Sequence, residues 1–137
     1  MMDKQEVIQI IKQAFNHTEK PVEIPLLKGN RTFNAKCTEE GIYVSNLHTS
    51  PFLPWEAFTE TVSLLEEKNG RAIKGDAMTC KLGESGLPVD SVEGRIAYKV
   101  YKKQLGKSVF RRITPVACIL EWAGLCENGR GELRIKK

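Results

Sequence analysis

The chain has 137 residues, 41% hydrophobic and 28% charged, with a formal net charge of +4. That is the balance of a folded globular protein, one ordinary domain or two small subdomains sharing a core, and it excludes a disordered chain. No apolar run approaches the roughly 20 residues that span a bilayer, and the polar start Met2-Asp3-Lys4-Gln5-Glu6 does not open a secretory signal, so a cytoplasmic location is expected.

Asp3 caps a first predicted helix running to about Asn16, with Val7, Ile8, Ile11, Ala14 and Phe15 on one stripe. Pro21 and Pro25 break the chain after it. A β-hairpin follows: Phe33, Ala35 and Cys37 alternate with polar residues, Thr38-Glu39-Glu40-Gly41 turns, and Ile42-Tyr43-Val44 returns. Thr49-Ser50-Pro51-Phe52-Leu53-Pro54 reads as a stiff, extended connector. At Trp55 the period becomes helical, with Trp55, Phe58, Val62 and Leu65 recurring until Asn69-Gly70 ends the helix. A short strand Arg71-Ala72-Ile73-Lys74 comes next, then a loop over Gly75–Pro88 with one helical turn near Ala77 to Lys81.

Asp90 or Ser91 caps the next helix, with Glu93 in the capping-box position relative to Asp90. Val92, Ile96, Val100 and Tyr101 form its buried stripe, Leu105 lies near its end, and Gly106 stops it. Gly94 inside this helix costs about 1 kcal/mol relative to Ala, and a close packing contact is one reason to accept that cost. After the Gly106-Lys107-Ser108 turn, Thr114-Pro115 marks the start of a last helix carrying Val116, Ile119, Leu120 and Ala123 to Gly124. Leu125-Cys126 and Glu132-Leu133-Arg134-Ile135 then read as two strands around Asn128-Gly129-Arg130-Gly131, where Asn-Gly signals a two-residue turn. The expected fold class is α+β, with a helix and hairpin over residues 1–54 and a helix-strand-helix-helix-wing arrangement over 55–137.

Charge is unevenly divided. Gly94–Lys137 holds eleven Lys and Arg against three Glu, a net +8, while the rest holds ten against fourteen, a net −4. A basic module behind a slightly acidic one points to an anionic partner, foremost a nucleic acid.

The closing run Ile119-Leu120-Glu121-Trp122-Ala123-Gly124-Leu125-Cys126-Glu127-Asn128-Gly129-Arg130-Gly131-Glu132-Leu133-Arg134-Ile135 resembles the final helix and wing of the winged-helix domain at the N-terminus of Mrr-type restriction endonucleases. There too an L-x-x-A-G-L helix end runs into a G-R-G wing and a last strand. The resemblance implies a recognition helix over about Thr114 to Ala123 entering the major groove of DNA. Its leading residues Arg111, Arg112 and Thr114 would meet base edges or phosphates, Arg130 would act from the wing tip, and Lys107 and Ser108 would contact phosphate from the turn. Lys102 and Lys103, closing the preceding helix, complete the expected nucleic-acid-binding set. Val116, Ala117, Cys118 and Ile119 leave the helix few polar side chains, so only modest sequence specificity is expected.

Each feature has a plainer reading beside this one. Lys99, Lys102 and Lys103 also fit the solvated face of an amphipathic helix, Arg111 and Arg112 could pair with Glu66 and Glu67, and Trp55 and Trp122 fit packing better than base stacking. Winged helices also serve as protein-interaction or dimerisation modules, so a homodimer or protein partner without nucleic-acid binding is the alternative, with the N-terminal hairpin as a pairing edge.

Nothing argues for catalysis. His17 and His48 lie in no metal or nucleophile motif, and no G-x-S-x-G, P-loop or H-E-x-x-H occurs. The Asp and Glu-x-Lys elements of an Mrr-like nuclease are not recognisable either. Cys37, Cys80, Cys118 and Cys126 are 43, 38 and 8 positions apart, which is no metal-knuckle spacing. They read as reduced, mostly buried small hydrophobes, and neither a metal nor a cofactor is expected.

Overall fold

The computed structural model describes residues 2–136. It is an α+β protein: an N-terminal helix and four-stranded antiparallel sheet, followed by helices and a small three-stranded sheet.

Helix α1 spans Lys4–Ala14 and begins as its sequence predicts. The Asp3 carboxylate accepts from Glu6 N while Glu6 Oε1 accepts from Asp3 N, so both halves of a capping box are present. The helix stops two residues short of the expected end, because Asn16 and His17 turn into the left-handed region at φ 57° and 53°.

The expected hairpin forms as β2 (Thr32–Cys37) and β3 (Gly41–Val44), but it is the centre of a larger sheet. Strand β1 (Val22–Pro25) pairs antiparallel with β2, and β4 (Phe52–Pro54) pairs with β3. Prolines suggested a break at 21–25 and a connector at 49–54. Both stretches are instead edge strands, where a missing N–H removes no ladder bond. The alternation holds: Phe33, Ala35 and Cys37 are buried while Thr32, Asn34 and Lys36 are exposed.

Helix α2 (Trp55–Glu67) is central, packing on α1, β4, β5 (Arg71–Ile73), β7 (Glu132–Ile135) and the segment after residue 91. Asn69 and Gly70, at φ 59° and 101°, end it as expected. Trp55 donates to the Glu39 carbonyl at 2.8 Å, tying α2 to the β2–β3 turn. One hydrophobic cluster runs through both halves, from Val7, Ile11 and Ile24 to Leu65, Val116 and Leu120. Residue 54 therefore marks a change of architecture within a shared core.

The helix expected to run from about residue 91 to 105 is much shorter. Ser91 caps α3 (Val92–Arg95), accepting from Gly94 N at 3.0 Å, and a single π-helical turn (Ile96–Val100) follows. Tyr101 N donates to Ile96 O, and at Lys102 the backbone swings to φ 56°, which ends helical geometry. Leu105 consequently lies on the surface. Gly94 has a packing reason: a Cβ there would sit 1.9 Å from the Pro88 carbonyl oxygen, a clash no rotamer relieves.

Between β5 and α3, residues 75–88 form a loop around a small second core of Leu82, Leu87, Ala97 and Val109. Helix α4 (Ile113–Trp122) begins just before Thr114-Pro115, so Thr114 is its second residue and caps nothing. Proline in the first turn forfeits no helical hydrogen bond.

After Gly124, at φ 85°, β6 (Cys126–Asn128) and β7 form a hairpin. Its loop has three residues, 129–131, with Gly131 left-handed at φ 69°, rather than an Asn-Gly two-residue turn. Buried Asn128 belongs to the strand and pairs with Leu133. Strand β7 lies between β5 and β6, giving the order β5-β7-β6.

Candidate nucleic-acid interface

The eight basic and hydroxyl residues anticipated for anion contact do not form one surface. Lys102, Lys103, Lys107 and Ser108 are all exposed on the irregular stretch between the π-turn and α4. It is held by Gly106 N donating to Leu82 O, Leu82 N donating to Lys107 O, and Lys103 N donating to Ala97 O. Lys102 and Lys103 therefore end no regular helix; with Tyr98, Lys99, Gln104 and Leu105 they line a shallow groove. Tyr98 and Leu105 are both exposed there, so the groove has apolar as well as cationic walls.

Arg111 and Arg130 belong to a second place. They line a cleft of about 330 Å³ whose walls come from residues 27–28, 74–78, 111, 113 and 130–131. The β5 end is tied to the β6–β7 loop by Lys74 N donating to Gly131 O at 2.8 Å. Lys28 and Lys74 add two cations to the same cleft. Burial pulls the half-buried Lys74 ammonium below its ordinary lysine range, and the Arg111 charge acts in the same direction. Lys28 and Lys74 each follow an edge strand; neither lies in the basic C-terminal segment, so no local pattern marks them.

Arg112 turns inward. Its guanidinium carbon sits 3.6 Å from the Tyr101 ring centroid and 4.8 Å from that of Phe110, and Nη1 reaches the Phe110 carbonyl at 3.4 Å. Its Nε is buried without a hydrogen-bond partner, as is the Tyr101 hydroxyl. This geometry locks the 101–112 crossover by cation–π contact and withdraws Arg112 from the exposed basic set. Neither Arg111 nor Arg112 pairs with the end of α2. Arg95 takes that place, with Nε 3.0 Å from Glu60, and Nη1 and Nη2 at 3.1 and 2.6 Å from Glu67.

The first turn of α4 is already occupied by an internal anion. Glu93, 1% exposed, accepts from Arg112 N at 2.7 Å and from Ile113 N at 2.9 Å. Its own N–H donates to Lys74 O at 2.9 Å, so this residue links α3, β5 and α4. Burial pushes its carboxyl up to about 7, against the two backbone bonds and the Arg112 and Arg111 charges that favour ionisation. The spacing from Asp90 predicts a capping box at Glu93's own helix; Glu93 caps the following helix instead, across 20 residues of chain.

The major-groove role inferred for α4 meets an obstacle. Ile113 and every residue from Pro115 to Leu120 are buried, because α1, α2 and β1 pack on the helix. Thr114 is half-buried, leaving the N-terminal end beside Arg111 as the accessible part. An α-helix can lie in the groove only on a face free of protein. Seating α4 lengthwise in DNA is thus excluded in this conformation by α1, β1 and α2 of the same chain.

Trp55 and Trp122 are packing residues, Trp122 meeting Phe15 edge-on with centroids 4.8 Å apart. Cys37, Cys118 and Cys126 are buried and unpaired, Cys80 is half-buried, and burial pushes the Cys126 thiol up to about 12. His17 and His48 are exposed. No helix among the described residues is long and apolar enough to cross a membrane. No family model, curated protein or solved structure matches the chain.

Proposed function

We propose that the chain is a non-enzymatic nucleic-acid-binding protein whose residues 55–137 form a winged helix, binding DNA mainly through its phosphates. The observation that carries this reading is a set of exposed cations without carboxylate partners. Among the described residues, Lys102, Lys103, Lys107, Arg111 and Arg130 make no ion pair, whereas Arg95 and Arg134 are engaged by glutamates. Unpaired like charges repel one another and are relieved by a polyanion. The order helix, strand, helix, helix, strand, strand with the sheet order β5-β7-β6 supports the winged-helix part.

The buried α4 narrows the mechanism. Phosphate neutralisation by the five cations supplies affinity, and Arg111 and Thr114 are what α4 has left for base edges, so sequence preference is modest. The test is fluorescence anisotropy with duplex DNA over a salt series. Several phosphate contacts predict a steep loss of affinity with salt, a log–log slope of about −0.9 per contact. No binding at the lowest salt would refute the reading.

A protein-interaction or oligomerisation module is the second reading. Half-exposed Tyr43 lies against Phe52, centroids 4.9 Å apart, on the outer face of the N-terminal sheet. An exposed tyrosine backed by a half-buried phenylalanine on a sheet face suits a protein partner or a second copy. Sedimentation of the unmodified chain beside a Tyr43→Ser variant tests it: a concentration-dependent dimer lost in the variant supports that reading.

A further inference from the structure

Four cations from four separate segments converge on one cleft. Lys28 follows β1, Lys74 follows β5, Arg111 precedes α4, and Arg130 sits in the β6–β7 loop, while Leu27, Ala77 and Ile113 supply apolar wall. Placing four positive charges around about 330 Å³ is unfavourable unless something negative balances them. Among the described residues none of the four has a carboxylate partner. The acid in the cleft wall is Asp76, and its oxygens are taken by its own loop: Oδ1 accepts from Met78 N at 3.0 Å and Thr79 N at 3.1 Å, and Oδ2 accepts from the Thr79 hydroxyl. Asp76 stays ionised and its charge acts on Arg111, as that of Glu121 acts on Lys74, so the four cations are offset only in part; Arg111 Nη1 also lies 3.3 Å from the Met78 sulfur. Nor is the α4 N-terminus left open to an anion, since Glu93 already fills it.

We propose that this cleft is a phosphate-binding site in which Lys28 and Lys74 act with Arg111 and Arg130. It rests on the nucleic-acid reading above and sharpens it, because Lys28 brings the N-terminal half into the contact. The guanidinium groups supply paired donors suited to phosphate oxygens, and the two ammonium groups act as point charges from the facing walls. A polynucleotide phosphate and a free phosphate compound share this chemistry, and the experiment separates them.

Two probes are used on the whole chain: inorganic pyrophosphate, followed by backbone amide NMR shifts, and a short DNA duplex, followed by anisotropy over a salt series. Lys28→Ala/Arg130→Ala removes two exposed side chains without touching the core, Lys74→Met keeps the half-buried stem, and Lys102→Ala/Lys103→Ala samples the other basic surface. The expected result is pyrophosphate shifts confined to residues 27–28, 74–78, 111–113 and 130–131 and lost in Lys28→Ala/Arg130→Ala. The same variant should flatten the duplex salt slope by about two, one per contact removed, and Lys74→Met by about one. Duplex binding that is unchanged in both cleft variants, and weakened only by Lys102→Ala/Lys103→Ala, overturns the cleft and leaves the nucleic-acid reading intact. Pyrophosphate bound in the cleft with no duplex binding supports the site for a free phosphate compound and overturns the nucleic-acid reading. Neither probe binding overturns both.

Discussion

Glu93 offers the sharpest test of how the C-terminal half is assembled. Replacing it with Ala removes the acceptor of two buried backbone donors, Arg112 N and Ile113 N. Each unsatisfied donor costs about 1 to 3 kcal/mol. Against that stands the cost of keeping an ionised carboxylate in the interior. A rise from 4.5 to about 7 corresponds to about 3 kcal/mol at 1.36 kcal/mol per tenfold change. The net expectation for Glu93→Ala near pH 8 is a loss of about 1 kcal/mol, with the urea m-value unchanged.

The pH dependence has a definite sign. The folded state holds the Glu93 proton more tightly than the unfolded chain does, so this group adds stability at low pH that is lost as pH rises through about 7. Unlike Glu93, a Gln at this position does not titrate, and its single carbonyl serves one donor while its NH2 faces the other. The stability difference between the unmodified protein and Glu93→Gln should therefore grow by about 2 to 3 kcal/mol from about pH 8 to about pH 5. Urea unfolding at four or five pH values reads it directly. A difference that stays flat across this range, or a Glu93→Ala loss below about 1 kcal/mol at every pH, would refute the role assigned to this carboxyl.

The other expectations concern packing and charge. Gly94→Ala gains about 1 kcal/mol of helix propensity yet should destabilise by about 2 kcal/mol or more, because its Cβ meets the Pro88 carbonyl; thermal unfolding measures it. Arg112→Ala should cost about 1 to 2 kcal/mol through loss of its contact with Tyr101, whereas Arg111→Ala should leave stability within about 0.5 kcal/mol and weaken DNA binding. Paired urea melts and anisotropy titrations compare the two, and the reverse pattern would exchange their roles. Arg95→Met should raise the Glu67 carboxyl back towards its ordinary range, since hydrogen bonding to Arg95 is the main cause of its lowered pKa. Side-chain NMR titration follows that group.

The local elements were legible where chemistry is local. The Asp3 capping box, the alternation of Phe33, Ala35 and Cys37, the helical spacing from Trp55 and the Gly124 stop each express forces acting within a few residues, and each appears in the fold. Periodicity could not place β1 or β4, because their prolines read as breaks until a partner strand makes them edges. Nor could it end the helix at Tyr101, since the stripe of Val92, Ile96 and Val100 continues smoothly into a chain that turns away.

The basic C-terminal segment was visible by counting charges, but counting cannot say which way a side chain points. Arg111 and Arg112 are neighbours of identical chemistry. The fold sends one to the cleft and lays the other on Tyr101. By itself, the sequence determined the type of the elements with a local signal, the apolar stripes they bury and the sign of the charge they display, because propensity, period and ionisation belong to short stretches of chain. Tertiary structure alone decided that α4 is covered by α1, β1 and α2, that Glu93 caps a helix 20 residues away, and that Lys28 and Lys74 meet Arg111 and Arg130. Those outcomes depend on contacts between distant segments, and long-range packing is set by the shared core rather than by any local run of residues.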